Sequence, residues 1–332
     1  MKKLKKVFTI IYIITILQII FMPISKSVSQ NEESTEGQGI NETIEEQQNE
    51  FGINDFIEEA QNYSGEFFQG IDIGEILNSA IKGEVDNQTI FQKFFSVLGK
   101  EVITGLKALG SILVIIVVHS ILKSISESLE NDGISKLIYY VQYILIVTTI
   151  MTNISDIVKL VQDTTSNLVG FMNLLVPLLI SLMLYTGNIA TSSILEPIIL
   201  FMINFIGNVI QTIIIPIVLV FTSLVVISKI SDNFQIQKIS GFIKSGVVWF
   251  LGIILTIFVG VVSLEGTLSS SVDGITAKTA KAVVSSAVPV VGKILGDAVD
   301  TVLGSGIILK NAVGLVGVII IIGICIMTII KL

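Results

Sequence analysis

The sequence predicts an all-α, polytopic membrane protein of about seven passes with additional amphipathic or re-entrant helices; one long apolar run reads as a helical hairpin or broken helix. Three observations carry this reading. Of 332 residues, 52 % are hydrophobic and 14 % charged, against about 25 % charged in an ordinary soluble domain. Mean hydropathy is +0.85. Apolar runs near or beyond the ~20 residues that a helix needs to cross a bilayer recur from residue 103 onward.

The amino end, residues 1–29, reads as an export signal. Lys2, Lys3, Lys5 and Lys6 precede an apolar run at 7–22; Pro23 follows, then Ser27 and Ser29 at the −3 and −1 positions of a cut after Ser29. An uncleaved signal anchor is the other reading of the same run. Either way residues 30–100 are expected outside the cytoplasm. The net charge of −7 is concentrated here: from Gln30 to Gln61 the chain carries Glu32, Glu33, Glu36, Glu42, Glu45, Glu46, Glu50, Asp55, Glu58 and Glu59, with no Lys or Arg. Residues 30–50 therefore predict a solvated acidic linker. A small helical region follows, with Asp72 and Glu75 spaced as a capping box and Phe91, Phe94, Phe95 and Leu98 on one helical face. Roughly fifty residues are too few for a sturdy independent core, so these helices are expected on the outer membrane surface or against a partner.

Residues 101–263 predict the multi-spanning domain. Spans are expected at 103–122, 137–154, 168–186 (with Pro177 inside) and 246–263 (with Trp249 near one end as an interfacial anchor), and a last one lies in 312–332. The run 198–228 is too long for one perpendicular pass: its length as a helix is about 46 Å against a hydrocarbon core of roughly 30 Å. Asn204, Gly207, Asn208, Gln211 and Pro216 punctuate it, which favours a turn near Gly207 and Asn208. Two passes would also put the loop 229–244, with Lys229, Lys238 and Lys244 against Asp232, in the cytoplasm, as the positive-inside rule asks.

Between the last two spans, residues 264–311 are rich in Gly, Ala, Ser and Val. A helix over 290–303 would align Lys293, Asp297 and Asp300 on one face, with Val291, Ile294, Leu295, Ala298, Val299 and Val302 on the others. That pattern fits an amphipathic helix on the membrane surface. It also fits a re-entrant segment facing protein or a water-filled cavity. Lys281, Pro289, Gly292, Lys293, Asp297, Asp300, Lys310 and Asn311 are the candidate partner-facing or cavity-facing residues.

Nothing in the chain composes an enzyme site, and no catalytic or cofactor-binding residue is assigned. His119 is the single histidine and Cys325 the single cysteine, both inside apolar runs and read as packing residues. The phosphate loop GxxxxGK[ST], a His/Cys/carboxylate cluster and a basic patch for nucleic acid are all missing from the sequence. Glu196, before Pro197, reads as a capping or interfacial residue, with coupling-ion ligand as the sharper alternative. Asn173, Asn204, Asn208 and Gln211 read as hydrogen-bonding glue between helices.

Four blocks, Thr279-Ala280-Lys281, Pro289-Val290-Val291-Gly292, Asp297-Ala298-Val299-Asp300-Thr301 and Lys310-Asn311-Ala312-Val313-Gly314, in this order and spacing after several apolar segments, resemble the stage III sporulation protein AE family of endospore-forming bacteria. The resemblance is sharpest from about Gly241 and looser over 105–240. Members of that family run several dozen residues past the position of Lys331-Leu332. The resemblance implies a component of the mother-cell assembly at the outer forespore membrane, working with the other proteins of its operon (ring-forming subunits, an ATPase, other polytopic subunits). Through them it implies a forespore partner and a channel or secretion-like apparatus that sustains late forespore gene expression. A self-contained secondary transporter or permease is the alternative that the broken helix suggests; no matching pair of broken helices supports it.

Overall fold

Residues 155–167, between the second and third expected spans, contain neither glycine nor proline, and Ile157, Val158, Leu160 and Val161 keep one side apolar while Asp156, Lys159, Gln162 and Asp163 face solvent. Nothing there stops a helix. In the computed structural model, which describes residues 36–84, 87–128, 132–231, 238–260 and 292–331, the two expected spans are one helix of 54 residues, Asp132–Tyr185. At 1.5 Å per residue it is about 80 Å long. The chain divides into a unit Met1–Gly39 and a unit Ile40–Leu332; the latter is described here. Residues 1–35, where an export signal is expected, and residues 261–291 lie outside the described residues.

The helices in order are α1 (Glu36–Glu50), α2 (Ile53–Tyr63), α3 (Ile73–Lys82), α4 (Asn87–Ser128), α5 (Asp132–Tyr185), α6 (Ile189–Val209), a π-helical turn (Ile210–Ile214), α7 (Ile215–Ser231), α8 (Lys238–Gly260) and α9 (Gly292–Lys331). No strand occurs among the described residues. Among the described residues, four apolar stretches are long enough to cross a membrane: Lys136–Tyr185, Ser192–Val226, Lys238–Gly260 and Thr301–Lys331. In α4 the apolar stretch is shorter, Leu113–Ile125.

Three expectations change. Merging the second and third spans removes one boundary between passes. The long run is not a hairpin either: it continues through Gly207 and Asn208, and the break takes the form of the π turn. Pro216 explains the turn, because it lacks an N–H and its ring would strike the carbonyl one α-turn back. The wider turn absorbs this, with Ile215 N–H donating to Ile210 O, five residues back. Finally, the acidic stretch is helical from Glu36, with Ile44 and Gln47 buried.

Chain reversal after α5 uses Gly187 at φ 91°. The Gly187 and Asn188 N–H groups donate to Leu184 O and Met183 O, which closes the helix with its last carbonyls satisfied. Asp72 caps α3 by accepting from Gly74 N–H at 2.8 Å. The amphipathic helices do not lie apart: Ile53, Phe56 and Ala60 of α2, Phe67 and Phe68 of the connecting turn, and Ile73 and Leu77 of α3 share one core with Phe171, Leu175, Leu178 and Leu182 of α5 and Leu309, Val313, Val316 and Ile320 of α9. A Cβ on Gly323 of α9 would overlap the Phe68 ring, so glycine there lets α9 approach. These α2–α3 helices thus gain from α5 and α9 the core their own length cannot supply.

Candidate functional site

Helix α5 is the spine, and polar side chains fasten the others to it. Gln142 Nε2 donates to Ile115 O of α4 at 3.3 Å, and Tyr143 Oη to Val226 O of α7 at 3.3 Å. Higher up, Gln211 Nε2 donates to Ser166 Oγ at 2.9 Å. Asn173 and Asn204 exchange amide hydrogen bonds at 3.1 and 2.9 Å, and Asn204 Nδ2 also reaches Leu200 O. Thr164 bonds Thr328 of α9, and Lys331 pairs with Glu101 of α4 at 3.8 Å.

Of the polar residues singled out in the long run, Asn204 and Gln211 are therefore committed to α5. Asn208 accepts from Thr212 within its own helix at 2.9 Å. Glu196 is half-buried on α6, away from this set. His119 is half-buried too, and its Nδ1 has no hydrogen-bond partner.

A second cluster was missed by sequence reasoning. Gln47 of α1 is 2 % exposed. Its Nε2 lies 2.9 Å from Ser305 Oγ, 3.1 Å from Tyr185 Oη and 3.2 Å from Val302 O. Ser305, fully buried, donates to Val302 O, and Phe51 meets the Tyr185 ring edge-on at 5.1 Å. Gly306 leaves room for that ring. The signal was present in Ile44, Gln47 and Phe51 at i, i+3 and i+7, but the surrounding glutamates masked it.

The family model described as stage III sporulation protein AE matches residues 71–332. The chain belongs to the stage III sporulation protein AE family. It is similar to the protein named stage III sporulation protein AE of Bacillus subtilis (strain 168), 28 % identical over 270 residues, covering 78 % of this chain and 68 % of that relative. No solved structure matches the chain. The spine α5 and its partners α4 and α6–α9 lie inside the stretch matched to the AE family, whereas Gln47 precedes it.

Of the blocks that carry the family resemblance, Asp297–Thr301 falls in the first turns of α9 and Lys310–Gly314 midway along it, while Thr279–Lys281 and most of Pro289–Gly292 lie outside the described residues. Gly292, Lys293, Asp297 and Asp300 occupy its first turns, and Lys281 and Pro289 lie outside the described residues. Lys310 is half-buried and Asn311 exposed. The turns bearing the Lys293–Asp297–Asp300 stripe are continuous with the last apolar stretch in one helix of 40 residues. No proline interrupts it, and Gly304, Gly306 and Gly314 are tolerated within a packed helix.

Proposed function

We propose that this chain is a non-enzymatic, multi-pass component of a sporulation channel or secretion-like complex between mother cell and forespore, acting in the outer forespore membrane and needed for late forespore gene expression. Membership of the stage III sporulation protein AE family over residues 71–332 is the observation that carries it. The partners are the other proteins of the same operon (ring-forming subunits, an ATPase, other polytopic subunits), a forespore membrane protein reached through them, and the lipid bilayer. A bundle held by Asn173–Asn204 and Gln211–Ser166 suits a scaffold, since these amides are spent on helix contacts.

The stripe Lys293, Asp297 and Asp300 is the proposed partner-facing site, with Lys281, Pro289, Gly292, Lys310 and Asn311 beside it in sequence. Asp297→Lys places two lysines one helical turn apart, replacing an attractive spacing with a repulsive one. At a partly desolvated contact the repulsion costs several times its value in water. The expected outcome is a fall in spore yield with the protein still inserted and abundant by immunoblot. Normal spore yield would remove the stripe from the interface.

The π turn at Ile210–Ile214 favours one other reading, a self-contained transporter. Purified protein that moves a solute alone in vesicles supports the transporter. Co-isolation with ring-forming and ATPase subunits supports the complex.

A further inference from the structure

The geometry assigns the hydrocarbon of the bilayer to one half of the spine, residues 136–156 of α5, and makes the other half, together with α9, the core of a protein-packed head outside it. Two levels of the molecule mark the boundaries. At one level are Lys123 of α4, Lys136 of α5, Lys229 of α7 and Lys238 of α8. The bonds Gln142–Ile115 and Tyr143–Val226 fix the registration of α4, α5 and α7, and α8 joins them through Ile254 against Val209 and Ile214. At the other level Asp156, Lys159, Gln162 and Asp163 of α5 are exposed. Asp163, three residues before Ser166, stands near Thr212 and Asn208, also exposed, and the Glu101–Lys331 pair joins the neighbouring α4 and α9. The Gln211–Ser166 and Thr164–Thr328 bonds hold these neighbours at the same height.

Between the two levels α5 rises about 30 Å at 1.5 Å per residue, the thickness of a hydrocarbon core. Most of the surface of this slab is apolar: Leu113 and Val114 of α4 are 60 % and 63 % exposed, Ile144 of α5 62 %, and Leu255 of α8 61 %, while exposed Lys244 of α8 lies toward its lysine edge. A lysine-rich edge on one side is the cytoplasmic edge by the positive-inside rule. Exposed Asp156, Lys159 and Asp163 forbid a bilayer centred on the middle of the spine.

The other half differs in what covers it on the side of α9, whereas on the far side α6 keeps Ile189, Ile194 and Phe201 exposed at 55 %, 57 % and 65 %. Gln47 lies level with Val302 and Ser305 of α9, and Phe68 level with Gly323, so α1–α3 flank most of its apolar length. Their outer faces carry Asp55, Glu58, Glu59, Asp72, Glu75 and Lys82, all exposed. Hydrocarbon at that height would surround these charges. In the most apolar window of Thr301–Lys331, 44 % of residues are buried inside the protein, against 6 % for Lys238–Gly260. Helix α9, whose apolar window is the most hydropathic among the described residues, thus finds its apolar surroundings in protein. Among the described helices the crossings are then α4, α5, α6–α7 and α8, and α9 is not one of them.

Val318 and Ile307 of α9 remain 47 % and 44 % exposed, which makes them the deciding positions. The chain contains a single tryptophan, Trp249, 70 % exposed on α8 within the slab. The full chain is reconstituted in vesicles of phosphatidylcholine and phosphatidylglycerol, with or without bromine at mid-acyl positions. Trp249 is then replaced by Phe, and a single tryptophan is placed at Val114, Val318 or Ile307. Native Trp249 and Val114→Trp are expected to lose most of their emission in brominated lipid, while Val318→Trp and Ile307→Trp keep most of theirs. Quenching of either α9 reporter to the extent of Val114→Trp would overturn the assignment and return α9 to the bilayer.

Discussion

Gln47 shows how much one polar side chain can decide. Its amide brings an acidic, otherwise solvent-loving helix against Tyr185 and Ser305, and two N–H groups serve three oxygens within 3.2 Å. Its own Oε1 has no partner, which subtracts from the gain. Gln47→Ala leaves Tyr185 Oη and buried Ser305 with one partner fewer, a loss of about 1–3 kcal/mol. The expected result is an earlier thermal transition in detergent. A larger shift is expected for Gln47→Glu, which puts a carboxylate in a buried site with no cation among its hydrogen-bonding neighbours. Wild-type melting of Gln47→Ala would mean that Phe51 and Ile44 hold α1 without the amide.

At the level of elements, the reciprocal Asn173–Asn204 amides couple α5 to α6 at the rim of their packed faces, with Asn204 exposed. A double-mutant cycle with Asn173→Leu and Asn204→Leu is expected to give a coupling of about 0.5–1.5 kcal/mol, the usual net worth of a hydrogen bond. Additive losses would show that the two amides act independently. This role was legible from residue type and position, because an asparagine inside an apolar run needs a partner. The spine was less legible. Span reading counts apolar residues, and Asp156, Lys159 and Asp163 interrupt the count, so residues 155–167 looked like a loop. Their solvent-facing spacing and the absence of Gly or Pro are instead the signature of a continuing helix. The packing of α2 and α3 on α5 and α9 was out of reach for a different reason: the capping of α3 and the apolar face of α2 are local, but which distant helix they cover is a tertiary choice.

For the whole molecule, the two mergers of expected spans cancel in their effect on sidedness. Sequence reading counted three passes and then two before the loop 229–244. The structure has α4, α5 and the π-interrupted α6–α7 before it, three helices in place of five passes. Either odd count, starting outside, ends in the cytoplasm. The lysines give the same answer without counting passes: Lys229, Lys238 and Lys244 gather at one end of the bundle with Lys123 and Lys136, and only Asp232 opposes them within the loop. Inverting the bundle would move all five lysines to the outer face, against the bias that orients spans during insertion. In a Cys325→Ser background, Ser231→Cys is therefore expected to resist a membrane-impermeant maleimide in intact cells and to react after lysis, while Lys159→Cys, at the opposite boundary, reacts in intact cells. Labelling at position 231 in intact cells would invert the bundle. Protection at position 159 as well as 231 would place the polar belt of the spine inside the membrane, and the separation of slab from head would fall with it.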